Sequence, residues 1–486
     1  MPEKGVVLRH NKNGTTYVYY TLRAYRNSKG APTSETALIG KLCPDSGRLI
    51  PNKRYYELFP DVGADDGLRQ LPLYDITQPQ SYLMDALSKQ IGVTGCLKGA
   101  FPSVYREILT IAFHIANGGD TRTVNPDGSE GDLRAALPGA ISLLDMMSSK
   151  RQADFFERWA KQRPEREYQC FNVSMRMPGR RMTDGPEWGD CEAPEDVYSV
   201  WMFIGKGTAL PRYYNRLPVY SSRQGIHVSA VQHGMDNMGI RDVGFCLEKR
   251  FVTAENIGMV CRKIKRMVCP WPADLVGFED LIEQMGPTLR HPANWLEKQQ
   301  CYGNSKHIDV DGQKLYAHLY YDALKAAKTE RVLYAQFEKE ALTIEQLERG
   351  LQIAGYSAYL SNDPTLATRY IPRVLVRRAQ LEDLLESIRT IPAFWRLSVH
   401  NEDSKGGRSF IAFLALTLRL ALLHAVVEHP LARGINYQRV FRELHDLPMR
   451  NVENPTPIQR TMLTILDDLG LLIPGQMPSR RNNSGG

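Results

Sequence analysis

Between Phe410 and Val427 the chain runs for eighteen residues that are almost wholly apolar, broken by Arg419 and His424. A run of this length is either a membrane span or the core helix of a packed domain. The two charged or ionisable residues inside it favour the second, so the sequence predicts a buried helix and no membrane partner. The chain has 486 residues, 43% of them apolar, which is too long for one ordinary core and apolar enough for several. The opening MPEKGVVLRH carries no secretory apolar region. The eight cysteines are scattered without a CxxC pair. That usage predicts reduced thiols in a cytoplasm, with neither a disulfide frame nor a zinc site.

The net charge is +7, and its placement matters more than its size. Residues 1–60 hold ten Lys and Arg against four Asp and Glu, so nearly the whole excess lies in the first eighth of the chain. Tyr17, Tyr19, Tyr20, Tyr25, Tyr55 and Tyr56 are interleaved with those cations. Cations pair with phosphates and flat rings pack on sugars or bases, so this segment reads as a nucleic-acid surface. A basic β-module whose tyrosines fill its own core is the alternative.

The pattern along the chain predicts six segments. Residues 1–75 form a β-rich basic module, with strands over 15–25 and 36–42 and a turn at Asn27 to Gly30. Residues 76–165 form a helical region, with apolar residues at helical spacing in ISLLDMMSSKRQADFFERWA. From Glu167 the pattern changes to strands, YQCFNVSM and VYSVWMFI, followed by helical residues 225–238 and 253–265. Residues 166–270 therefore read as the first part of an α/β core. Residues 271–345 break that pattern and read as an insertion, with a hairpin in HIDVDGQKLYAHLYY. Residues 346–430 resume the core, and 431–486 are a helical segment ending in the tail PSRRNNSGG.

Three blocks stand in order inside that core. The first is Tyr168-Gln-Cys-Phe-Asn172-Val-Ser174, with Trp188-Gly189 after it. The second is Gly239-Ile-Arg-Asp242-Val-Gly244-Phe245, followed by Thr253-Ala-Glu-Asn256-Ile257 opening a helix. The third is a helix carrying Leu375, Arg378, Glu382 and Arg389, with Gly355 and Ser361-Asn362 upstream. Together with YVYYTLRAYRNSKGAPTSETALIGK near the start, these blocks resemble those of bacterial insertion-sequence transposases of the DDE class, in the branch with a long insertion before the last acid. The resemblance covers roughly residues 15–430.

The resemblance implies an α/β fold with an RNase H-like core split by an insertion. It implies cleavage and transfer of DNA strands by in-line displacement at phosphorus, using two divalent ions, Mg²⁺ or Mn²⁺. Such hard cations are held by carboxylate oxygens. The catalytic positions it assigns are Asn172, Asp242 and Glu382, with Asp242 and Glu382 as metal ligands. It assigns DNA contact to Arg373, Arg377, Arg378 and Arg389; Arg378 and Arg389 share one helix face with Glu382. Arg369 precedes them in the same basic stretch. It further implies double-stranded DNA with terminal inverted repeats as the partner, a dimer on that DNA, and a bacterial cytoplasmic, nucleoid-associated location.

The chain departs from the family pattern at Asn172, where the family has Asp. Val243 stands for the Arg after the second acid, and Leu375 for a tyrosine. A carboxamide brings no negative charge, so the metal pair would be held weakly. Asp184, Asp190 and Asp196 lie close in sequence, but a loop position fits them poorly for the role. Two function classes follow: a transposase with impaired chemistry, or a non-catalytic DNA-binding protein of transposase ancestry that represses or competes with an active copy. A metal-dependent nuclease without strand transfer is a third.

Other features read as structural. His424 and His429 are five apart, one residue too many for a helical zinc pair. Asp309, Asp311 and Gly312 lack the ligand spacing of a calcium loop and read as a β-turn. Gly205-Lys206-Gly207-Thr208 lacks the spacing of a phosphate loop and reads as a strand-connecting turn. Arg262, Lys263, Lys265 and Arg266 are either a solvated helix face or a phosphate-contact face.

Overall fold

The computed structural model describes residues 6–11, 15–26, 30–42, 49–51, 53–58, 71–119, 121–125, 128–162, 165, 167–178, 195–218, 224–249, 252–272, 274–391, 394, 397, 402–432 and 456–473. The chain forms two compact units: residues 1–162, 180–188 and 387–486 make the first, and 163–179 and 189–386 the second. The expected second core half, 346–430, therefore divides at Glu386. Trp188, Gly189, Asp184, Asp190 and the tail PSRRNNSGG lie outside the described residues.

The first unit opens with an antiparallel sheet of β1 (Val6–His10), β2 (Thr16–Arg26), β3 (Pro32–Leu42) and β4 (Leu49–Pro51), followed by α1 (Lys53–Leu58). Its core is small: Val18, Ile39 and Tyr55, flanked by Val6, Tyr20, Leu42 and Leu58. Tyr55 is thus a packing residue, whereas Tyr25 is 47% exposed beside the exposed Arg23 and Arg26. Short strands β5 (Leu73–Tyr74), β6 (Thr123–Val124) and β7 (Glu130–Gly131) form a separate three-stranded sheet.

The helices of this unit are α2 (Pro79–Ile91), α3 (Val93–Ala100), α4 (Tyr105–Ala116), α5 (Leu133–Ala136), α6 (Ile141–Met146) and α7 (Ser149–Gln162). The apolar run lies in α14 (Glu402–Glu428), which packs on α2, α4, α6 and α7. By length and composition it could cross a membrane, yet 78% of its most apolar window is buried inside the protein. Phe410 meets Phe155 edge-on at 5.0 Å, and Phe413 meets Phe156 at 5.3 Å. Each such buried ring or Leu contributes about 1.5–3 kcal/mol. Arg419 is explained by its partners. Its Nε and Nη2 donate to the carbonyls of Ala116 and Ile115 at 2.8 and 3.1 Å, in the last turn of α4. A cation there satisfies helix-end carbonyls that have no partner within the helix. Helix α15 (Pro457–Asp468) starts on a capping box of Thr456 and Gln459.

The second unit is built on one nine-stranded sheet. Its strands are β8 (Tyr168–Pro178), β9 (Glu195–Gly205), β10 (Pro211–Pro218), β11 (Val243–Cys246), β12 (Met267–Pro270), β13 (Trp295–Leu296), β14 (Cys301–Val310), β15 (Gln313–Tyr321) and β16 (Tyr356–Ser361). Their order is β10-β9-β8-β11-β12-β16-β15-β14-β13. The first three in sequence are antiparallel neighbours, and β11 and β12 lie parallel to β8 on its other side. The remaining strands are antiparallel. Residues 271–345, read as an insertion, thus contribute β13 to β15 to the same sheet.

Helices α8 (Gln224–Met238), α9 (Ile257–Lys263) and α10 (Phe278–Leu289) supply Val231, Ile257, Val260, Leu281 and Met285 to a core shared with Cys170, Trp201, Phe245, Leu319 and Leu360 of the strands. The hairpin β14–β15 turns on Asp311 and Gly312, both at positive φ (49° and 72°), with Val310 opposite Gln313. Two successive positive φ values make the type I′ turn that matches strand twist, hence Asp-Gly. Helices α11 (Ala323–Glu338) and α12 (Ile344–Ile353) follow, then Gly355 at φ 81°, where a Cβ would meet the Asp322 carbonyl at 2.8 Å. Helix α13 (Ile371–Arg389) comes after β16, and its residues through Glu386 belong to this unit.

Candidate functional site

Strand order reverses beside β8: the chain leaves it toward β9 on one side and returns through β11 on the other. In open α/β sheets ligands bind past the carboxyl ends of the strands at such a reversal. The register fixes which residues sit there. Val243 of β11 lies opposite Tyr168, and Cys246 opposite Phe171. The carboxyl end of β11 is therefore level with Asn172, and the next acid along the chain is Glu248.

Asp242 lies at the other end. It precedes β11 instead of closing it, so it is five residues of strand rise from Asn172, roughly 15 Å. There it pairs with Arg266, which also reaches the Asp363 carboxylate at 3.1 Å. Partial burial works against the Arg266 charge, but its bonds to Asp242 and Asp363 outweigh that and raise its pKa. Burial likewise acts against the Asp363 carboxylate, and hydrogen bonds from Thr365 and Arg266 more than compensate, so it titrates below the usual range. The structure does not bring Asp242 to the other two assigned positions.

Asn172 is 1% exposed. Its neighbour two residues back, Cys170, and its cross-strand partner, Trp201, both belong to the core shared with α8, α9 and α10. Side chains alternate along a strand, so the Asn172 carboxamide faces that packed core. There its Nδ2 donates to Ser199 Oγ at 2.8 Å.

The opposite face carries α13. Arg378 Nη2 donates to Glu382 Oε1 at 2.6 Å, and its Nε donates to the Asn172 backbone carbonyl at 3.2 Å. The Arg378 side chain is 17% exposed and that of Glu382 36%. Cys246 is within electrostatic reach of both. Burial pushes its thiol up to about 12, with Arg378 pulling it down and Glu382 pushing it up. Leu247 still donates to the Val268 carbonyl in strand fashion (2.9 Å), so alternation continues and places Glu248 on the face of Cys246. Glu248 and Glu382 thus lie on one face at the reversal point, with Arg378 between the sheet and Glu382.

Sequence reading missed Glu248. The available signal was the apolar run Val243–Leu247, which is strand-like and closes on Leu-Glu, whereas Asp242 stands before it. Among the described residues, no group of three or more His, Cys, Asp or Glu side chains is placed to hold a metal ion. The site offers a neutral amide turned into the core and two carboxylates, Glu248 and Glu382, the second already bonded by a guanidinium. These residues do not fit a pair of divalent ions. Asp196 lies in β9, and its side chain is outside the described residues.

Arg373 and Arg377 are exposed on α13 and line a cleft of about 1050 Å³ over the amino-terminal half of β8 and its neighbours. Arg389 is the last residue of α13 and falls in the first unit. Arg262, Lys263 and Lys265 are exposed at the end of α9. Other motifs take the structural role expected of them. The turn at Gly207 and Thr208 wraps the Glu165 carboxylate, whose oxygens accept from their backbone N–H groups at 3.2 and 3.1 Å. Asp309 accepts from Gly312 N (2.8 Å) in the hairpin turn, and His429 lies 3.5 Å from Asp468.

No protein-family model matches the sequence, and no curated protein matches it. Among solved structures the chain is similar to the piggyBac transposase in a cryo-EM synaptic complex with hairpin DNA. That likeness has 12% identity and a TM-score of 0.26, over 64% of this chain and 63% of the other. The chain therefore spans just under two thirds of that structure's length.

Proposed function

We propose that this protein is a DNA-binding protein of DDE transposase ancestry in which metal-dependent strand cleavage is lost or severely impaired. The strand order β10-β9-β8-β11-β12, three antiparallel strands and then two parallel to the first, supports an RNase H-like core. Asn172 lies on β8 and Glu382 on α13, and a strand and a later helix are where the resemblance assigns them, which supports the same reading.

One observation carries the reading: the Asn172 side chain is buried against Ser199 on one face of the sheet while Glu382 is bonded to Arg378 on the other. A two-ion mechanism needs convergent anionic oxygens, and residue 172 supplies none to the face that Glu248 and Glu382 share. A fixed guanidinium neutralises Glu382.

DNA binding is supported by the first unit's basic sheet, where Arg23, Tyr25 and Arg26 are exposed near the tip of the β2–β3 ribbon and Arg9 stacks on Tyr19 at 4.5 Å. A two-stranded ribbon fits the major groove of duplex DNA. Terminal inverted repeats as the target, a dimer on them, and action as a repressor or competitor in a bacterial cytoplasm complete the proposal.

The test is duplex binding and strand cleavage on the DNA flanking the gene, with Mg²⁺ or Mn²⁺, for the wild type beside Glu382→Ala and Glu248→Ala. The expected result is salt-sensitive binding with no cleavage above the level of the variants. Cleavage that either substitution removes would sink the proposal and establish an active enzyme. Joined products would then mean a transposase, and cut products alone a nuclease.

A further inference from the structure

The cleft beneath α13 has a chemistry that the reading above does not use. One wall is made by Tyr370, in the 3-10 turn just before α13, and by Arg373 and Arg377 on the first turns of that helix. The guanidinium groups of Arg373 and Arg369 both lie over the Tyr370 ring, 5.3 and 5.1 Å from its centroid. Tyr370 is 38% exposed, so a layered arginine–tyrosine surface is presented at the cleft.

Lys298 and Lys325 stand among the residues of the same cleft. Two of the carboxylates there are already matched, Glu167 by Lys206 and Asp363 by Arg266. Arg373, Arg377, Lys298 and Lys325 form no ion pair among the described residues. Asp322, which caps α11, is the remaining acid. The cleft therefore carries a net positive charge that is not neutralised among the described residues.

The floor is open. Gly244 of β11 lines the cleft, and a Cβ built there would meet no atom within 4 Å. Tyr359 and Tyr320 lie beside it, the second held by its hydroxyl on the Thr368 carbonyl at 2.6 Å. A volume of about 1050 Å³ is at the upper end of small-ligand sites and larger than a lone phosphate requires.

We propose that this cleft binds a phosphorylated nucleotide, with phosphate oxygens on Arg377, Lys298 and Lys325 and the base stacked on the Arg373 guanidinium that lies over Tyr370. Cations outside any ion pair supply charge-assisted bonds to phosphate, and a guanidinium layered on a ring supplies a stacking platform that tolerates any base. The nucleotide is either free or the 5′-phosphorylated end of a single strand. The chemistry is shared, and the experiment separates the two sources. The inference does not depend on duplex binding by the basic sheet.

The measurement is equilibrium binding of ATP and of a 5′-phosphorylated oligo-dT to the full chain at low salt, with duplex binding and melting temperature recorded on the same samples. The variants are Gly244→Leu, which fills the floor, and Arg377→Glu with Lys298→Glu, which reverses two exposed charges. The expected result is binding of one or both probes that falls at least about tenfold in each variant, as the loss of one charge-assisted contact predicts, with melting and duplex binding unchanged. Binding of the oligonucleotide alone assigns the cleft to a strand end, and binding of ATP assigns it to a free nucleotide. Failure of both probes to bind, or binding that survives both variants in folded protein, overturns the proposal. Loss of duplex binding with cleft binding intact would instead count against the basic sheet.

Discussion

Restoring the family's first acid by Asn172→Asp should destabilise the protein without restoring cleavage. The wild-type amide is 1% exposed and donates to Ser199 Oγ. An aspartate cannot donate that bond, so one neutral hydrogen bond of about 1 kcal/mol is exchanged for whatever Ser199 can donate in return. The larger effect is charge. The carboxylate would sit against Cys170 and Trp201 in that packed apolar core. Burial of that kind raises a carboxyl pKa by roughly two to three units. Each unit is worth about 1.4 kcal/mol, giving about 3–4 kcal/mol at neutral pH. The sign follows from the raised folded-state value: the deficit is small below the unfolded pKa near ~4 and grows as pH rises through the folded value. For a unit of this size that predicts a melting point lower by roughly 6–16 °C at pH 8 and by only about a few degrees at pH 4.5. Scanning calorimetry at the two pH values, beside a Mn²⁺-dependent cleavage assay, reads both expectations. A variant as stable as wild type at pH 8 that gains cleavage would show that residue 172 reaches the face of Glu382, and the geometric argument would fail.

Three further outcomes are expected. His318 is 1% exposed with Nδ1 bonded to Thr368 at 3.0 Å, and burial lowers its pKa from 6.5 to about 4. Its contribution is whole above pH 6.5 and is lost as pH falls toward 4, up to roughly 3 kcal/mol. Urea titrations at pH 7.5 and 4.5 should show that loss in wild type and its absence in His318→Leu. Adjacent glycines of α14 should respond with opposite signs. A Cβ at Gly407 meets the Leu144 carbonyl at 2.5 Å, so Gly407→Ala should cost about 1–3 kcal/mol. At Gly406 it meets only the flexible end of Gln152 at 3.4 Å, so Gly406→Ala should gain up to about 1 kcal/mol of helix propensity. Both are read by calorimetry, and equal responses would contradict the packing described. Finally, Arg419→Leu should destabilise the first unit by about 1–3 kcal/mol despite making α14 more apolar, because the Ala116 carbonyl loses its Arg419 donor and the Ile115 carbonyl keeps only the Gly118 N–H. An unchanged melting point would show that those bonds contribute nothing.

Parts of this architecture are legible in the amino-acid order because one local force decides them. Asp311-Gly312 admits a two-residue turn and fixes the β14–β15 register. Arg419 within an apolar run signals a buried helix with a polar partner. Asp309 and the Gly207-Thr208 turn read as turns because the spacing of ligand loops is missing. The site is harder. β11 is four residues long, too short for periodicity to tell its start from its end, so Asp242 and Glu248 compete as strand-end acids and only pairing with β8 separates them. The facing of Asn172 depends on which side of the sheet α8, α9 and α10 cover, a tertiary choice that YQCFNVSM does not encode. The pairing of Arg378 with Glu382 is visible as four-residue spacing, but its reach to the Asn172 carbonyl is not.

The central sheet also sets a timetable for synthesis. Val268 of β12 finds its outer partner in Ser361 of β16, far down the chain. At about 5–20 residues per second the ribosome takes on the order of 5–20 s to deliver it. Through that interval β12 is an unpaired edge bearing Val268 and Cys269, the kind of template that recruits foreign strands. β13, β14 and β15 emerge in between as a preformed antiparallel layer that waits for β16 to join both halves in one step. Yield in a cell should therefore respond to translation speed and chaperone supply across residues 271–361 more than to the stability of the finished fold.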